Sequence, residues 1–351
     1  MIDSSEKLAD LLPRVRASSF VTVDTEADSL HAYPEKLCLI QMGLELGEVL
    51  VDPLAGLDLA EFFAALAGRQ LLMHGADYDL RLMRKHHQFL PTAIFDTMLA
   101  ARLLGQRQFS LGALVEHYLG IKLEKGSQKA DWARRPLTER MAVYAANDVR
   151  YLKLLVDRLQ AELTDQGRLE WHREWCARLI DETATDPGPD ADSVWRIKGT
   201  SVLSPAALAV LRELWHWREG EAIHANRPPF FVLNHELMVG LAITAVEDRD
   251  PARLIPGRFS PRRREALLKA LGRGLAVPAP DWPQHQRTHH RRPTMAQVRK
   301  IRELTEHRDH QATQLGLDPA LIASRPMLAR LGCDWAAHEA ELMTWQRDLL
   351  R

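Results

Sequence analysis

Residues 20–52 read FVTVDTEADSLHAYPEKLCLIQMGLELGEVLVD and contain three short apolar runs with little chain between them. The runs are Phe20–Asp24, Leu37–Met42 and Val49–Asp52, and a turn around Gly47 joins the last two. Aliphatic and β-branched runs of this length predict strands, and strands joined by such short connections pair antiparallel. The segment therefore predicts a three-stranded antiparallel meander.

After the meander the pattern changes to alternating helices and strands. Helices are expected near Leu59–Leu66 and Leu80–His87, and strands at Leu71–His74 and Ala93–Asp96. Long amphipathic stretches follow, at Met98–Leu104, Leu111–Leu119 and Leu137–Leu163. A meander followed by βα units predicts an α/β fold, a mixed sheet with helices on both sides.

The second half of the chain shows helical stripes and no strand alternation. Thr185–Asp192 is rich in proline, glycine and aspartate, which is typical of a linker. A second proline-rich joint, Val277–Pro283, divides the helical half into two small bundles. The sequence thus predicts an α/β domain followed by all-helical domains.

Composition excludes several classes of protein. With 46% hydrophobic and 26% charged residues the chain has the composition of a globular protein. No run of about 18 apolar residues exists, and the N-terminus lacks a secretory signal, so we expect no membrane association and a cytoplasmic location. The three cysteines, Cys38, Cys176 and Cys333, lie too far apart for a zinc motif or a disulfide framework.

The net charge of −1 hides a difference between the two halves. Residues 1–185 carry 22 basic and 27 acidic residues, whereas residues 186–351 carry 24 basic and 20 acidic ones. The basic residues of the second half cluster at Arg262, Arg263 and Arg264 and at Arg291 and Arg292. Such clusters are typical of a solvated face, and they are also candidates for contacts with phosphates.

Carboxylates at the end of the first strand suggest a cation site. Asp24 and Glu26 are two residues apart, which places both on one face of an extended chain. Alone, such a pair is more often a cap and an exposed acid. Two further carboxylates strengthen the case: Asp79, which opens a helix after a strand and has Asp77 as a rival, and Asp148, which lies within a helical pattern.

Four carboxylates without a histidine or cysteine cluster favour Mg²⁺ or Mn²⁺ over zinc. Two such ions about 3.5–4 Å apart would clamp the attacking water and the leaving oxygen of a phosphoryl displacement. Tyr144 lies one helical turn from Asp148 and could orient or deprotonate that water, or be an ordinary half-buried aromatic. Phosphodiester hydrolysis is the reaction that this set of residues predicts.

At these residues the sequence resembles the ribonuclease D branch of the DEDD exonucleases, in its tyrosine-containing subclass. The three family motifs are similar to Asp24–Gln41, His74–Leu80 and Asp131–Asp148, in that order. The resemblance implies a ribonuclease H-like (DnaQ-like) exonuclease domain that removes nucleoside 5′-monophosphates from RNA 3′ ends. One position departs from the family, since Ala27 stands where phenylalanine is common, and this puts the grip on the terminal nucleotide in doubt.

The resemblance also implies roles for individual residues. Asp24, Glu26, Asp79 and Asp148 would bind two divalent cations, Mg²⁺ or Mn²⁺, and Tyr144 would position the nucleophilic water. Candidates for substrate binding are His74, Gln41, Arg262, Arg263, Arg264, Arg291 and Arg292. We interpret His74 more readily as a partner at the start of a helix, and Asp96 as a structural cap.

The resemblance extends into the helical half. Residues from Leu203 to Asn234 are similar to the helicase-and-RNase-D C-terminal (HRDC) domain, a helical bundle that often binds nucleic acid. We therefore predict an exonuclease domain at 1–185, an HRDC domain at 194–280 and a second, divergent HRDC-like domain at 285–351.

The implied partner is RNA, with transfer RNA precursors and other structured 3′ ends as substrates and a monomer as the favoured state. No phosphate-binding GxxxxGK loop exists, so no nucleotide cofactor is expected. Two alternatives stay open: a catalytically silent RNA-binding scaffold, and a 3′-to-5′ exonuclease that acts on DNA.

Overall fold

The structure, a computed structural model, describes residues 1–124, 126–185, 187–188, 190–285 and 293–351. The chain forms two compact units. The first unit comprises Met1–Ala27, Leu37–Asp186 and Arg291–Arg351, and the second comprises Asp28–Lys36 and Pro187–His290. Among the described residues, no helix is both long and apolar enough to cross a membrane.

A five-stranded mixed sheet forms the centre of the first unit, with the order β3-β2-β1-β4-β5. Its strands are β1 (Val21–Ala27), β2 (Leu37–Leu44), β3 (Gly47–Val51), β4 (Gln70–Met73) and β5 (Ala93–Asp96). The first three strands pair antiparallel, whereas β4 pairs parallel with both β1 and β5. The predicted meander and mixed sheet are confirmed.

The described residues of the first unit contain eight α-helices before residue 186. They are α1 (Ser5–Ala17), α2 (Ala60–Ala67), α3 (Asp77–His87), α4 (Thr97–Leu103), α5 (Leu111–Leu119), α6 (Glu139–Arg150), α7 (Leu152–Asp165) and α8 (Leu169–Thr185). The buried side chains of α1, α2 and α3 pack with Val21 and Val23 of β1 in one core. On α6, Met141 and Ala145 pack with Leu39 of β2 in a separate core. Side chains alternate along a strand, so Thr22, Asp24 and Glu26 lie on the opposite face of β1 from the two valines and face α6.

The C-terminal helices belong to the first unit. They are α13 (Met295–Leu315), α14 (Pro319–Ile322), α15 (Arg325–Cys333), α16 (Trp335–His338) and α17 (Thr344–Leu350). Their buried residues share one core with Phe95, Leu103 and Leu155. The rings of Trp171 and Trp345 stack with 4.9 Å between centroids. The helical character agrees with the sequence, and the status of this segment as a second HRDC-like domain stays a prediction.

The second unit is a helical bundle. Its helices are α9 (Pro205–Ala225), α10 (Pro229–Val232), α11 (His235–Val246) and α12 (Pro261–Leu275), and its described residues contain no strand. The segment 28–36, which follows β1, is part of this unit. Tyr33 packs against its core and donates a hydrogen bond of 2.5 Å to Glu219.

Candidate active site

Three carboxylates meet where β1 passes under α6. Asp24 and Glu26 project from β1 and Asp148 from α6, and one carboxylate oxygen from each lies within 4.8 Å of the others. All three side chains are half-buried. Val21 and Val23 fill the core on the other face of β1, so the alternation of the strand directs Asp24 and Glu26 towards α6.

Gly43 allows α6 to come this close to the sheet. Thr22 donates a hydrogen bond of 3.1 Å to the carbonyl of Val149, the residue after Asp148. A Cβ on Gly43 would lie 2.3 Å from the Thr22 Oγ1 and 3.2 Å from the Val149 oxygen. Any larger residue would push α6 away. We did not identify Gly43 from the sequence, although a glycine inside an apolar strand indicates close backbone approach.

Asp79, and not its rival Asp77, points into the protein. Asp79 is 6% exposed and accepts a hydrogen bond of 2.5 Å from Thr25, which lies between Asp24 and Glu26. Asp77 is exposed and pairs with Arg81 at 3.0 Å. The Asp79 carboxylate lies outside the 4.8 Å cluster, yet its charge raises the pKa values of Glu26 and Asp148.

Burial and mutual repulsion raise the pKa of every carboxyl in the site. Burial, followed by the charge of Asp148, raises the pKa of Asp24 to about 8. Burial and the other carboxylates raise the pKa of Glu26 to about 9, and burial raises the pKa of Asp148 to about 7. The pKa of Asp79 also lies well above its usual range, chiefly through burial.

Among the described residues, the charges that shift these four pKa values belong to the other carboxylates of the site. Buried carboxylates of like charge require a counter-ion or protons. An all-oxygen donor set of this kind fits hard divalent cations such as Mg²⁺ and Mn²⁺.

Tyr144 contacts the carboxylates as a neutral phenol. Its hydrogen bond to Asp148 lowers the pKa of that carboxyl, which limits the effect of burial. Burial, then the charges of Asp148, Glu26 and Asp24, raise the pKa of Tyr144 above its usual range. The phenol therefore stays protonated at neutral pH, which favours orientation of a water over its deprotonation.

Gln128 is a contact that the sequence did not suggest. This exposed residue forms a side-chain hydrogen bond with Tyr144, and the ring of the buried Trp132 lies 6.0 Å from the tyrosine ring. Gln128 stands in a loop without periodicity, so no sequence pattern marked it. Both side chains come from the loop that precedes α6.

His74 and Asp96 support the start of α3. The Nδ1 of His74 lies 2.9 Å from the Thr97 Oγ1, and burial lowers the pKa of the imidazole, which favours the neutral form. Asp96 accepts hydrogen bonds from the backbone N–H groups of Met98 and Leu99, so its predicted role as a cap is confirmed. It also accepts from the N–H groups of Gly75 and Ala76, just before α3.

Gln41 lies beside the carboxylates. Its side chain is fully buried, and its amide has no hydrogen-bond partner among the described residues. It lies directly opposite Asp24 in the pairing of β1 with β2. Substrate binding by Gln41 stays a prediction.

Three of the predicted basic residues, Arg262, Arg263 and Arg264, belong to the second unit. Arg262 and Arg263 both pair with Glu221, at 3.2 and 3.0 Å, and Arg263 also lies over the ring of Phe259. Arg264 is half-buried. Arg291 and Arg292 lie outside the described residues. Substrate binding by these arginines stays a prediction.

Comparison with known proteins gives a consistent result. The sequence model of a 3′–5′ exonuclease family matches residues 1–164, and that of the HRDC domain matches residues 207–257. A protein named ribonuclease D from Nitrobacter hamburgensis is 32% identical and aligns over 99% of this chain and 92% of its own length. Ribonuclease D from Xanthomonas oryzae is also 32% identical, over 99% and 95%.

The fold matches that of a solved bacterial exoribonuclease. The crystal structure of Escherichia coli RNase D, described as an exoribonuclease involved in structured RNA processing, superposes with a TM-score of 0.76 at 24% identity. The alignment covers 100% of this chain and 97% of that one. The predicted combination of an exonuclease domain and a helical HRDC domain is therefore confirmed.

Proposed function

The chain belongs to the ribonuclease D family, and from this membership we propose that it is a metal-dependent 3′-to-5′ exoribonuclease acting on structured RNA 3′ ends, transfer RNA precursors among them. The observation that carries the proposal is the cluster of Asp24, Glu26 and Asp148 within 4.8 Å, with Tyr144 hydrogen-bonded to one of its members. A silent scaffold would have no need for this uncompensated charge.

The donors of the site fit two divalent cations, held by Asp24, Glu26, Asp79 and Asp148. Mg²⁺ or Mn²⁺ bound there would supply Lewis-acid stabilisation of the attacking and leaving oxygens. The protein contributes a pre-arranged set of carboxylates, since the Thr22 contact to α6 and the Thr25 contact to Asp79 fix their positions. Binding of cations replaces protons on these carboxyls, so cation affinity should rise with pH.

Tyr144 orients the nucleophile. Its phenol forms side-chain hydrogen bonds with Asp148 and Gln128, and it remains protonated. A water held against this phenol attacks the last phosphorus of the RNA, and the bond from phosphorus to the preceding 3′ oxygen breaks. The products are a nucleoside 5′-monophosphate and an RNA that is one nucleotide shorter and ends in a 3′ hydroxyl.

The proposal is tested by the pair Asp79→Asn and Asp77→Asn, two substitutions of the same kind on one helix. With 5′-labelled RNA and Mg²⁺ or Mn²⁺, we expect Asp79→Asn to lose at least 100-fold in rate, because removal of one catalytic electrostatic contact costs about that much. The Asp77→Asn protein should match the wild type. Full activity of the Asp79→Asn protein would contradict the proposed site.

Substrate class is tested in the same assay by competition. Unlabelled DNA of the same sequence and a transfer RNA precursor with a 3′ extension compete against the labelled RNA. We expect the precursor to compete better than the DNA, since a protein can distinguish RNA by its 2′ hydroxyls. Equal competition by DNA would move the assignment to an exonuclease without sugar preference.

A further inference from the structure

A cavity of about 550 Å³ lies in the first unit, and none of the carboxylates described above lines it. One wall is the segment 102–109, which contains the end of α4 and the loop after it. The other wall is the segment 312–321, which contains the end of α13, the following loop and the start of α14. The volume falls within the range of about 300–1,000 Å³ that is usual for small-ligand sites.

The two walls are fixed against each other by backbone contacts. Gly105 and Gly316 both have positive φ angles, and a Cβ on Gly105 would lie 2.3 Å from the Gly316 oxygen. The buried guanidinium of Arg168 donates hydrogen bonds to the carbonyls of Leu103 and Leu315, at 2.6 and 2.7 Å. The cavity is therefore preformed, and a ligand would not have to order its walls.

The charged side chains that line the cavity are mainly basic. Arg102 lies 5.2 Å from the ring centroid of Trp175 and 5.8 Å from that of Phe109. Neither Arg102 nor the exposed Arg107 forms an ion pair within the described part of the chain. Asp318 is the acidic lining residue, and it accepts a hydrogen bond from the N–H of Ala320. Two arginines and one aspartate thus line the cavity.

The remaining lining residues offer apolar surface. Phe109 is 40% exposed, and Leu317 and Leu321 are buried residues that line the cavity. Guanidinium groups bind phosphates as charge-assisted donors, and exposed aromatic rings stack with bases irrespective of sequence. Each nucleotide of a flexible RNA strand carries a phosphate and a base, so one nucleotide can contact both kinds of side chain.

We propose that this cavity is a second RNA-binding site, which holds one nucleotide of single-stranded RNA with its phosphate at Arg102 and Arg107 and its base on Phe109. The inference rests on the proposed exoribonuclease function, because it assigns the nucleotide to the same RNA substrate. The site would hold RNA that is not being cleaved and would leave the chemical step unchanged.

Binding is measured with a labelled single-stranded oligoadenylate and an Asp24→Asn background, in which hydrolysis does not interfere. Arg107→Ala and Phe109→Ala should each weaken binding about tenfold, the usual effect of removing one stacking or phosphate contact. Arg158→Ala is the matched control, because Arg158 is an exposed arginine on α7 of the same unit. Its effect should stay below twofold.

Crosslinking locates the contact independently of affinity. RNA that contains 4-thiouridine is irradiated with the same protein, and the tryptic peptide Gln108–Lys122 should carry the crosslinked nucleotide. Phe109→Ala should remove that crosslink. The proposal would be overturned if the Arg107→Ala and Phe109→Ala proteins bound RNA as tightly as the Arg158→Ala control. It would also be overturned if the crosslinks were confined to other peptides.

Failure of this site and failure of the proposed function give different results. If the wild-type protein binds RNA in the cavity but does not shorten it, the proposed function fails and the site stands. If the wild type shortens RNA and the two variants show an unchanged KM for long RNA, the cavity is not an RNA site. The expected result is a KM raised about tenfold with an unchanged kcat.

Discussion

Replacing Asp24 by asparagine should make the metal-free protein more stable at neutral pH, although it removes a proposed metal ligand. The pKa of Asp24 is raised to about 8 by burial and by the charge of Asp148. Between the ordinary pKa and this raised value, the folded protein binds more protons than the unfolded chain. The free energy of unfolding therefore falls as the pH rises through this interval.

The size of the effect follows from the same pKa. The pKa of Asp24 rises from 3.8 to about 8 on folding. At about 1.4 kcal/mol per pH unit, ionisation of Asp24 lowers the free energy of unfolding at pH 7 by roughly 4 kcal/mol relative to acidic solution. An asparagine in its place carries no charge, but its buried amide costs on the order of 1–3 kcal/mol if it lacks partners. We expect a net gain of about 1–3 kcal/mol at pH 7, and little gain at pH 4.

The assay is urea unfolding of both proteins in the presence of a chelator, at pH 4, 7 and 8.5. Asp77→Asn is the control, since Asp77 is an exposed carboxylate in an ion pair with Arg81 and its loss should change stability by less than about 1 kcal/mol. Added Mg²⁺ should stabilise the wild type more than the Asp24→Asn protein.

The reasoning would be refuted if the Asp24→Asn protein were no more stable than the wild type at pH 7 in chelator. It would also be refuted if the difference in stability between the two proteins were largest at pH 4. At that pH, residue 24 is uncharged in the folded wild type and in the folded Asp24→Asn protein.

Three further predictions concern Tyr144, Gly43 and Tyr33. Tyr144→Phe should lower kcat at least 100-fold while leaving RNA affinity within about twofold, as measured by single-turnover kinetics; a normal kcat would exclude the phenol from the reaction. Gly43→Ala should lower stability by about 1–3 kcal/mol, and Thr22→Ala should restore part of that loss in a double-mutant cycle; additive losses would contradict the contact. Tyr33→Phe should lower the stability of the second unit by about 1–2 kcal/mol, because Glu219 loses one hydrogen bond and keeps only its contact with Arg218 among the described residues; unchanged calorimetric unfolding would contradict this.

The sheet and the acidic residues were predictable from the sequence because both depend on local pattern. The alternation of Val21, Val23 and the intervening polar residues determines which side of β1 is buried, and this places Asp24 and Glu26 together. The residues alone left Asp77 as a rival of Asp79. The family resemblance favoured Asp79, and the burial of Asp79 beside an exposed Asp77 agrees with that choice.

Contacts between residues distant in sequence were not predictable. The pairing of Arg262 and Arg263 with Glu221 joins residues about 40 positions apart, and it gives two arginines of a basic cluster an internal partner. Gln41 matched a motif, but the sequence did not show that its side chain is fully buried. The C-terminal helices were recognisable by periodicity, but periodicity does not specify the surface against which a helix packs.

The central claim is that the carboxylate cluster removes nucleotides from the 3′ end of RNA. It is tested most directly by a time course on RNA labelled at the 5′ end, with Mg²⁺, Mn²⁺ or chelator, beside the Asp24→Asn protein. We predict a ladder of products shortened by one nucleotide at a time, release of nucleoside 5′-monophosphates, and no reaction with chelator or with Asp24→Asn. Internal cleavage, shortening from the 5′ end, or equal activity of the Asp24→Asn protein would contradict the account.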